Sequence, residues 1–160
     1  MTSAEPKKTI RLIALLVPVV AIGLADVIFK YIALSRLPEE GSRLRFLIDF
    51  ALHKNPGIAF DIPIPLSIVI ALTLIISAVL LYHSVRSFNR MPMMSFFSLT
   101  IIIGALGNMI DRVINGFTTD YIILFERSAI NLSDILILFG TIMLLVYSKD
   151  RSSELDARNT

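Results

Sequence analysis

The chain contains no cysteine, and only two of its 160 residues are histidine. The first absence excludes a thiol nucleophile, a disulfide framework and a cysteine-held iron–sulfur cluster. The second argues against a histidine-based metal site, the more so because His53 and His83 fall on opposite sides of the apolar segments described below. No metal and no cofactor are therefore expected. Charge is scarce as well: Asp, Glu, Lys and Arg make up 18% of the chain, against about 25% in soluble domains. The net charge of +2 comes from scattered Lys and Arg, not from a basic stripe, so a nucleic-acid partner is not expected. No internal repeat or low-complexity segment is present.

In place of these the chain is 55% hydrophobic, and its apolar residues gather in four runs, at about 10–34, 65–82, 93–110 and 130–147. A helix needs about 20 apolar residues to cross ~30 Å of hydrocarbon. Four such helices leave no room for a separate soluble domain, so residues 1–160 are expected to form one membrane-embedded unit. A cleavable signal peptide has an apolar core of about 7–15 residues; the first run is longer, and is expected to remain. Met1–Pro6 and Lys149–Thr160 read as short polar tails. Lys7, Lys8 and Arg11 precede the first run, and a positive flank on the first helix favours the cytoplasm. Both termini are expected there.

The loop after the first run alternates with period two. Leu44, Phe46, Ile48, Phe50 and Leu52 are apolar, while Arg43, Arg45, Asp49 and His53 occupy odd positions. This is the pattern of a half-buried strand. Asn55-Pro56-Gly57 reads as a turn, after which Ile58, Phe60, Ile62 and Ile64 resume the apolar face. The spacing predicts a small hairpin lying on the outer membrane surface.

Charged residues within the runs need a reason, because each costs about 2.5–3.5 kcal/mol on insertion scales. Asp26 and Lys30 stand four apart on the first helix and so share a face; they read as a structural ion pair that locks this helix to its neighbours. Near the outer end of the third helix, Gly104, Ala105 and Gly107 permit close packing. Asn108, Asp111 and Arg112 follow at i, i+3 and i+4, with Arg112 expected to hold Asp111 in a bidentate pair. Asp120 lies beyond Gly116, and Asp134 lies one turn into the fourth helix, three residues after Asn131. Topology brings Asp111, Asp120 and Asp134 to one interface. Two carboxylates at a partly dehydrated site share a proton, which suits them to activate water and polarise a carbonyl. Helix capping, or pairing with Arg112 or Arg127, explains the same residues equally well at this level. A small transporter or channel subunit that uses Asp26, Lys30 and Asp134 as an ion path is the alternative from another class, but the acids gather near one interface and the second helix carries no charge to continue a path.

Four blocks, in order, resemble the signal peptidase II family. They are Asp26-x-x-x-Lys30, Lys54-Asn55-Pro56-Gly57-Ile58-Ala59-Phe60, Gly107-Asn108-Met109-Ile110-Asp111-Arg112 and Asn131-Leu132-Ser133-Asp134. The resemblance implies an all-α bundle of four transmembrane helices with a small outer β-cradle. It implies an aspartic endopeptidase that removes signal peptides from diacylglyceryl-modified prolipoproteins at the outer face of the bacterial inner membrane, working as a monomer surrounded by lipid. By motif position it makes Asp120 and Asp134 catalytic, and it places Asn55, Gly57, Asn108, Asp111, Arg112 and Asn131 where they support the site or contact substrate. The chain departs from the family at Pro56, Ile58, Thr118, Thr119, Tyr121, Ile130 and Ser133, several of which make the wall of the site more polar.

Overall fold

A computed structural model describes residues 4–39, 47–57, 62, 64–125 and 128–159. The elements run α1 (Ala4–Arg36), β1 (Ile48–Asn55), α2 (Leu66–Ser87), α3 (Pro92–Asn115), β2 (Thr118–Leu124), β3 (Ser128–Ile130) and α4 (Leu132–Asn159). Among the described residues, four stretches are long and apolar enough to cross a membrane: Ile10–Arg36, Leu66–Ser87, Pro92–Asn115 and Leu132–Arg151. The two ends expected to be polar tails are helical instead, from Ala4 and through Asn159. Ala, Glu, Lys, Leu and Arg in these ends favour helix, and extending an existing helix avoids the cost of nucleating one.

The distribution of polarity is that of a protein solvated by lipid. Ile13, Val17, Leu24, Leu72, Ile75, Leu138, Ile142 and Leu145 are exposed, while Asp26, Ser95, Thr100, Asn131 and Ser133 are fully buried. In water such an apolar exterior would drive association; in a bilayer it is the surface that meets acyl chains. With no hydrophobic gain available between helices, close contact must hold them together. The central helix, α3, packs on α1, α2 and α4, and glycines set its approach. A Cβ on Gly104 would lie 2.6 Å from the Ser133 carbonyl oxygen of α4, and one on Gly140 would lie 2.7 Å from the Ile101 side chain.

β1, β2 and β3 form an antiparallel sheet in that order, at the end of the bundle where α1 and α3 finish and α2 and α4 begin. Gly116 makes the transition possible. It ends α3 with φ +81°, its N–H bonded to the Arg112 carbonyl at 3.0 Å, a left-handed conformation that suits glycine. The strand expected from the alternation exists, but its partner is β2 rather than the next stretch of chain. Of the expected second arm, Ile58, Phe60 and their neighbours 59, 61 and 63 lie outside the described residues.

A bulge corrects the alternation further. Phe50 pairs with Ile122 and His53 with Asp120, so Ala51 and Leu52 together oppose Tyr121. One extra residue reverses the phase of the strand. It brings His53 and Asn55 onto the same sheet face as Thr118 and Asp120, the face that Phe50 and Ile48 occupy before the bulge.

Candidate active site

Asn131 organises the site. It directly precedes α4, and its side chain and that of Asp134 form reciprocal cap bonds: Asp134 N–H donates to Asn131 Oδ1 at 2.9 Å, and Asn131 N–H donates to Asp134 Oδ2 at 3.1 Å. This is a capping box built from Asn and Asp, so the helix-capping explanation of Asp134 describes a real contact. The same Asn131 donates through Nδ2 to Asp120 Oδ1 at 2.6 Å. One residue thus ties the carboxylate of β2 to the carboxylate of α4.

Each carboxylate has a second donor. Asn55 Nδ2 reaches Asp120 Oδ2 at 3.2 Å, and Asn108 Nδ2 reaches Asp134 Oδ1 at 2.8 Å. Asn55 is itself held in a turn, since its Oδ1 accepts the Gly57 N–H at 3.0 Å. The Arg112 guanidinium donates to the Gly57 carbonyl at 3.1 Å. Arg112 therefore pins the β1 turn, and the expected bidentate pair with Asp111 is not formed. Adjacent residues on a helix point about 100° apart, so Asp111 and Arg112 do not face each other. Arg127, the other cation weighed for these acids, lies outside the described residues.

Asp111 turns instead toward Lys30. The Lys30 ammonium lies 3.0 Å from Asp26 Oδ2 and 3.6 Å from Asp111 Oδ2, and donates to Asn108 Oδ1 at 2.7 Å. The ammonium thus hydrogen-bonds one amide and lies within ion-pair distance of two carboxylates, and all three partners are buried. Holding Asn108 by its oxygen fixes which end of that amide faces Asp134. The two acids around Lys30 then grip the neighbours of both site carboxylates. Asp111 accepts the Thr119 N–H at 2.6 Å, and Asp26 accepts the Tyr121 hydroxyl at 2.8 Å, one on each side of Asp120. Asp26 also accepts the Leu132 N–H at 3.0 Å and the Ser133 hydroxyl at 2.7 Å, just before Asp134. Burial, reinforced by the charge of Asp26, raises the Tyr121 phenol well above its ordinary range, so its hydroxyl stays a donor.

Asp120 and Asp134 line one cavity of about 390 Å³, together with His53, Asn55, Arg112 and Thr118. Its remaining wall includes Ile130, Ile137 and Leu138. Burial, then the negative charge of Asp134, pushes the Asp120 carboxyl from its ordinary 3.8 up to about 7, against the pull of Asn131, Asn55 and His53. A carboxyl poised near neutrality can both give and take a proton. Among the described residues, no group of three His, Asp or Glu side chains is placed to hold a metal ion.

All ten residues singled out in the sequence meet in this one network. Reading the sequence missed Thr119, Tyr121 and Ser133 as anchors, and Thr118 and His53 as lining. The departures at 119, 121 and 133 are the available signal, since each puts a hydroxyl on a buried acid, and the departure at 118 adds a hydroxyl to the cavity wall.

A family model described as signal peptidase (SPase) II matches residues 18–149. The lipoprotein signal peptidase of Bartonella tribocorum is 32% identical over 130 residues, covering 76% of this chain and 77% of the relative. That of Brucella ovis is 31% identical over 131 residues, covering 77% and 81%. A bacterial membrane enzyme solved by the in meso method at 2.3 Å shares the fold, with a TM-score of 0.72 at 23% identity over 86% of this chain and 90% of its own.

Proposed function

This chain is a multi-pass peptidase of bacterial membranes that belongs to the signal peptidase II family, and we propose that it removes signal peptides from prolipoproteins as an aspartic endopeptidase, with Asp120 and Asp134 as its catalytic pair. The observation that carries this reading is the bridging of both carboxylates by Asn131 at one cavity. The pair holds one proton. Its ionised member takes a proton from a water molecule, whose oxygen attacks the carbonyl carbon of the scissile bond. Its protonated member hydrogen-bonds the carbonyl oxygen and then helps protonate the leaving amine as the C–N bond breaks. The two acids titrate as a unit, so the starting base is a property of the pair.

The other site residues take supporting roles. Asn55, Asn108 and Asn131 orient the carboxylates, and Gly57 and Arg112 hold Asn55 in place. Asp26, Lys30 and Asp111 fix the backbone on either side of the pair and do not transfer protons. The apolar wall of Ile130, Ile137 and Leu138 beside the acids suits a substrate residue carrying diacylglycerol. Lys7, Lys8 and Arg11, in the first turns of α1, favour cytoplasmic termini; on that reading the sheet and the acid pair lie at the outer face of the inner membrane. The enzyme acts as a monomer in contact with lipid. An ion path is disfavoured because the buried charges gather at the sheet end of the bundle, while α2 carries none within its span before Arg86.

The test is cleavage of a diacylglyceryl-modified prolipoprotein by the parent, Asp120→Asn, Asp134→Asn and the double variant, with and without a chelator. Each single variant should lose nearly all turnover and the double variant should be little worse, because the residues act as one device. Near-parent cleavage by either single variant, or loss of parent activity on chelation, would refute the aspartic mechanism.

A further inference from the structure

Thr118 opens β2, two residues before Asp120 and on the same sheet face, opposite Asn55 across the β1–β2 ladder. It is 2% exposed, and it lines the cavity that holds the two acids. Its Oγ1 is the one buried side-chain nitrogen or oxygen, among the described residues, without a hydrogen-bond partner. Thr119 and Tyr121, its neighbours in the strand, both spend their hydroxyls on buried acids. A hydroxyl buried without a partner costs free energy that an isosteric valine would avoid, and valine suits a strand equally well. The Thr118 hydroxyl is therefore a liability to the fold and an asset only to something that enters the cavity.

We propose that the Thr118 hydroxyl binds substrate, hydrogen-bonding a backbone peptide group of the extended chain about two residues from the bond that is cleaved. Two residues along a strand span about 7 Å, and an extended substrate lying along β2 advances by the same amount. A carbonyl held at Asp120 thus puts a peptide group two positions away beside Thr118. The hydroxyl can donate to the C=O of that group or accept from its N–H. The inference rests on the reading of Asp120 as catalytic, which supplies the point from which the distance is counted.

The experiment compares the parent, Thr118→Val and Thr118→Ser for cleavage of a diacylglyceryl-modified peptide and for thermal unfolding, with Asp120→Asn alongside. Removing one neutral hydrogen bond should lower kcat/KM about 3- to 10-fold, mostly through KM, while Thr118→Val unfolds at the same or a higher temperature than the parent. Thr118→Ser keeps the hydroxyl and should restore KM. A peptide carrying an ester in place of the contacted amide loses the N–H and keeps only a weaker C=O acceptor, so the gap in kcat/KM between parent and Thr118→Val should narrow. Parent-like kcat/KM in Thr118→Val, or a loss of activity that follows a loss of stability in both variants, would overturn the proposal. If Asp120→Asn still cleaves, the catalytic assignment fails first, and that result is separable because it does not depend on residue 118.

Discussion

Asp120→Asn should abolish turnover and at the same time stabilise the folded protein, but only at neutral and alkaline pH. The folded carboxyl titrates at about 7 and the ordinary one at 3.8. Between these values the native state holds a proton that the unfolded state has released, so stability falls as pH rises through this window and is level above it. At 1.36 kcal/mol per pH unit, the interval amounts to about 4 kcal/mol charged against the native state at about pH 8. Asparagine is neutral at every pH and removes that cost. It also has a single acceptor oxygen, whereas Asp120 receives donors on both: Asn131 Nδ2 at 2.6 Å and Asn55 Nδ2 at 3.2 Å. The longer bond, from Asn55, then faces an amide nitrogen, which returns about 1–3 kcal/mol of the gain. The net expectation is stabilisation by about 1–3 kcal/mol at about pH 8, turning to a loss of about 1–3 kcal/mol at about pH 4, where the parent carboxyl is already neutral and only the hydrogen-bond cost remains. Thermal melts followed by far-UV circular dichroism in detergent, at a series of pH values, measure the difference. A difference between variant and parent that does not grow from pH 4 to 8, or a variant less stable than the parent at pH 8, would refute the reasoning.

Lys30→Met should destabilise the protein by about 3–5 kcal/mol, since it strands Asp26 and Asp111 in a buried site; adding Asp26→Asn should recover part of the loss, and an unchanged unfolding midpoint in the single variant would contradict the triad. Gly104→Ala should cost about 1–3 kcal/mol, because its new Cβ would meet the backbone oxygen of Ser133 at 2.6 Å and a carbonyl cannot rotate away; a neutral result in a thermal melt would mean that the seam between α3 and α4 is looser than described. The native chain has no cysteine, so Arg90→Cys and Arg45→Cys can be probed cleanly with an impermeant thiol reagent in intact cells. Residue 45 should react and residue 90 should not, and the opposite result would invert the topology.

What could be read from the sequence followed from local spacing. The apolar runs announce four helices because a bilayer demands about 20 residues of one character. The Asp26–Lys30 pair is visible because residues four apart on a helix must be neighbours, and the Asn131–Asp134 cap is visible at its spacing of three. What escaped depends on contacts distant in sequence. β1 pairs with a strand more than 60 residues away, and the bulge at Ala51 and Leu52 overturns a regular alternation without altering the composition that suggested it. Arg112 stands next to Asp111, so proximity in sequence suggested a pair; helix geometry sends the arginine to Gly57 and leaves the acid to a lysine on another helix. The hydroxyls of Tyr121 and Ser133 are legible in the sequence as added polarity, but their convergence on Asp26 requires knowing that α1, β2 and α4 meet.

The placement of Lys30 four residues after Asp26 also bears on how the protein is made. A helix leaving the translocation machinery ahead of its partners must meet the bilayer with whatever it carries. Two separate charges within an apolar segment would oppose that step by up to about 2.5–3.5 kcal/mol each. Because the carboxylate and the ammonium of α1 lie 3.0 Å apart on one helix, they neutralise each other before any other segment has been synthesised. Asp111 differs: its cation belongs to α1, so α3 enters the bilayer to meet a countercharge already installed. Biogenesis in chain order therefore lets each segment find its electrostatic partner either within itself or in a segment that preceded it. A circular permutation that delivered α3 first would expose Asp111 to lipid with no lysine to receive it.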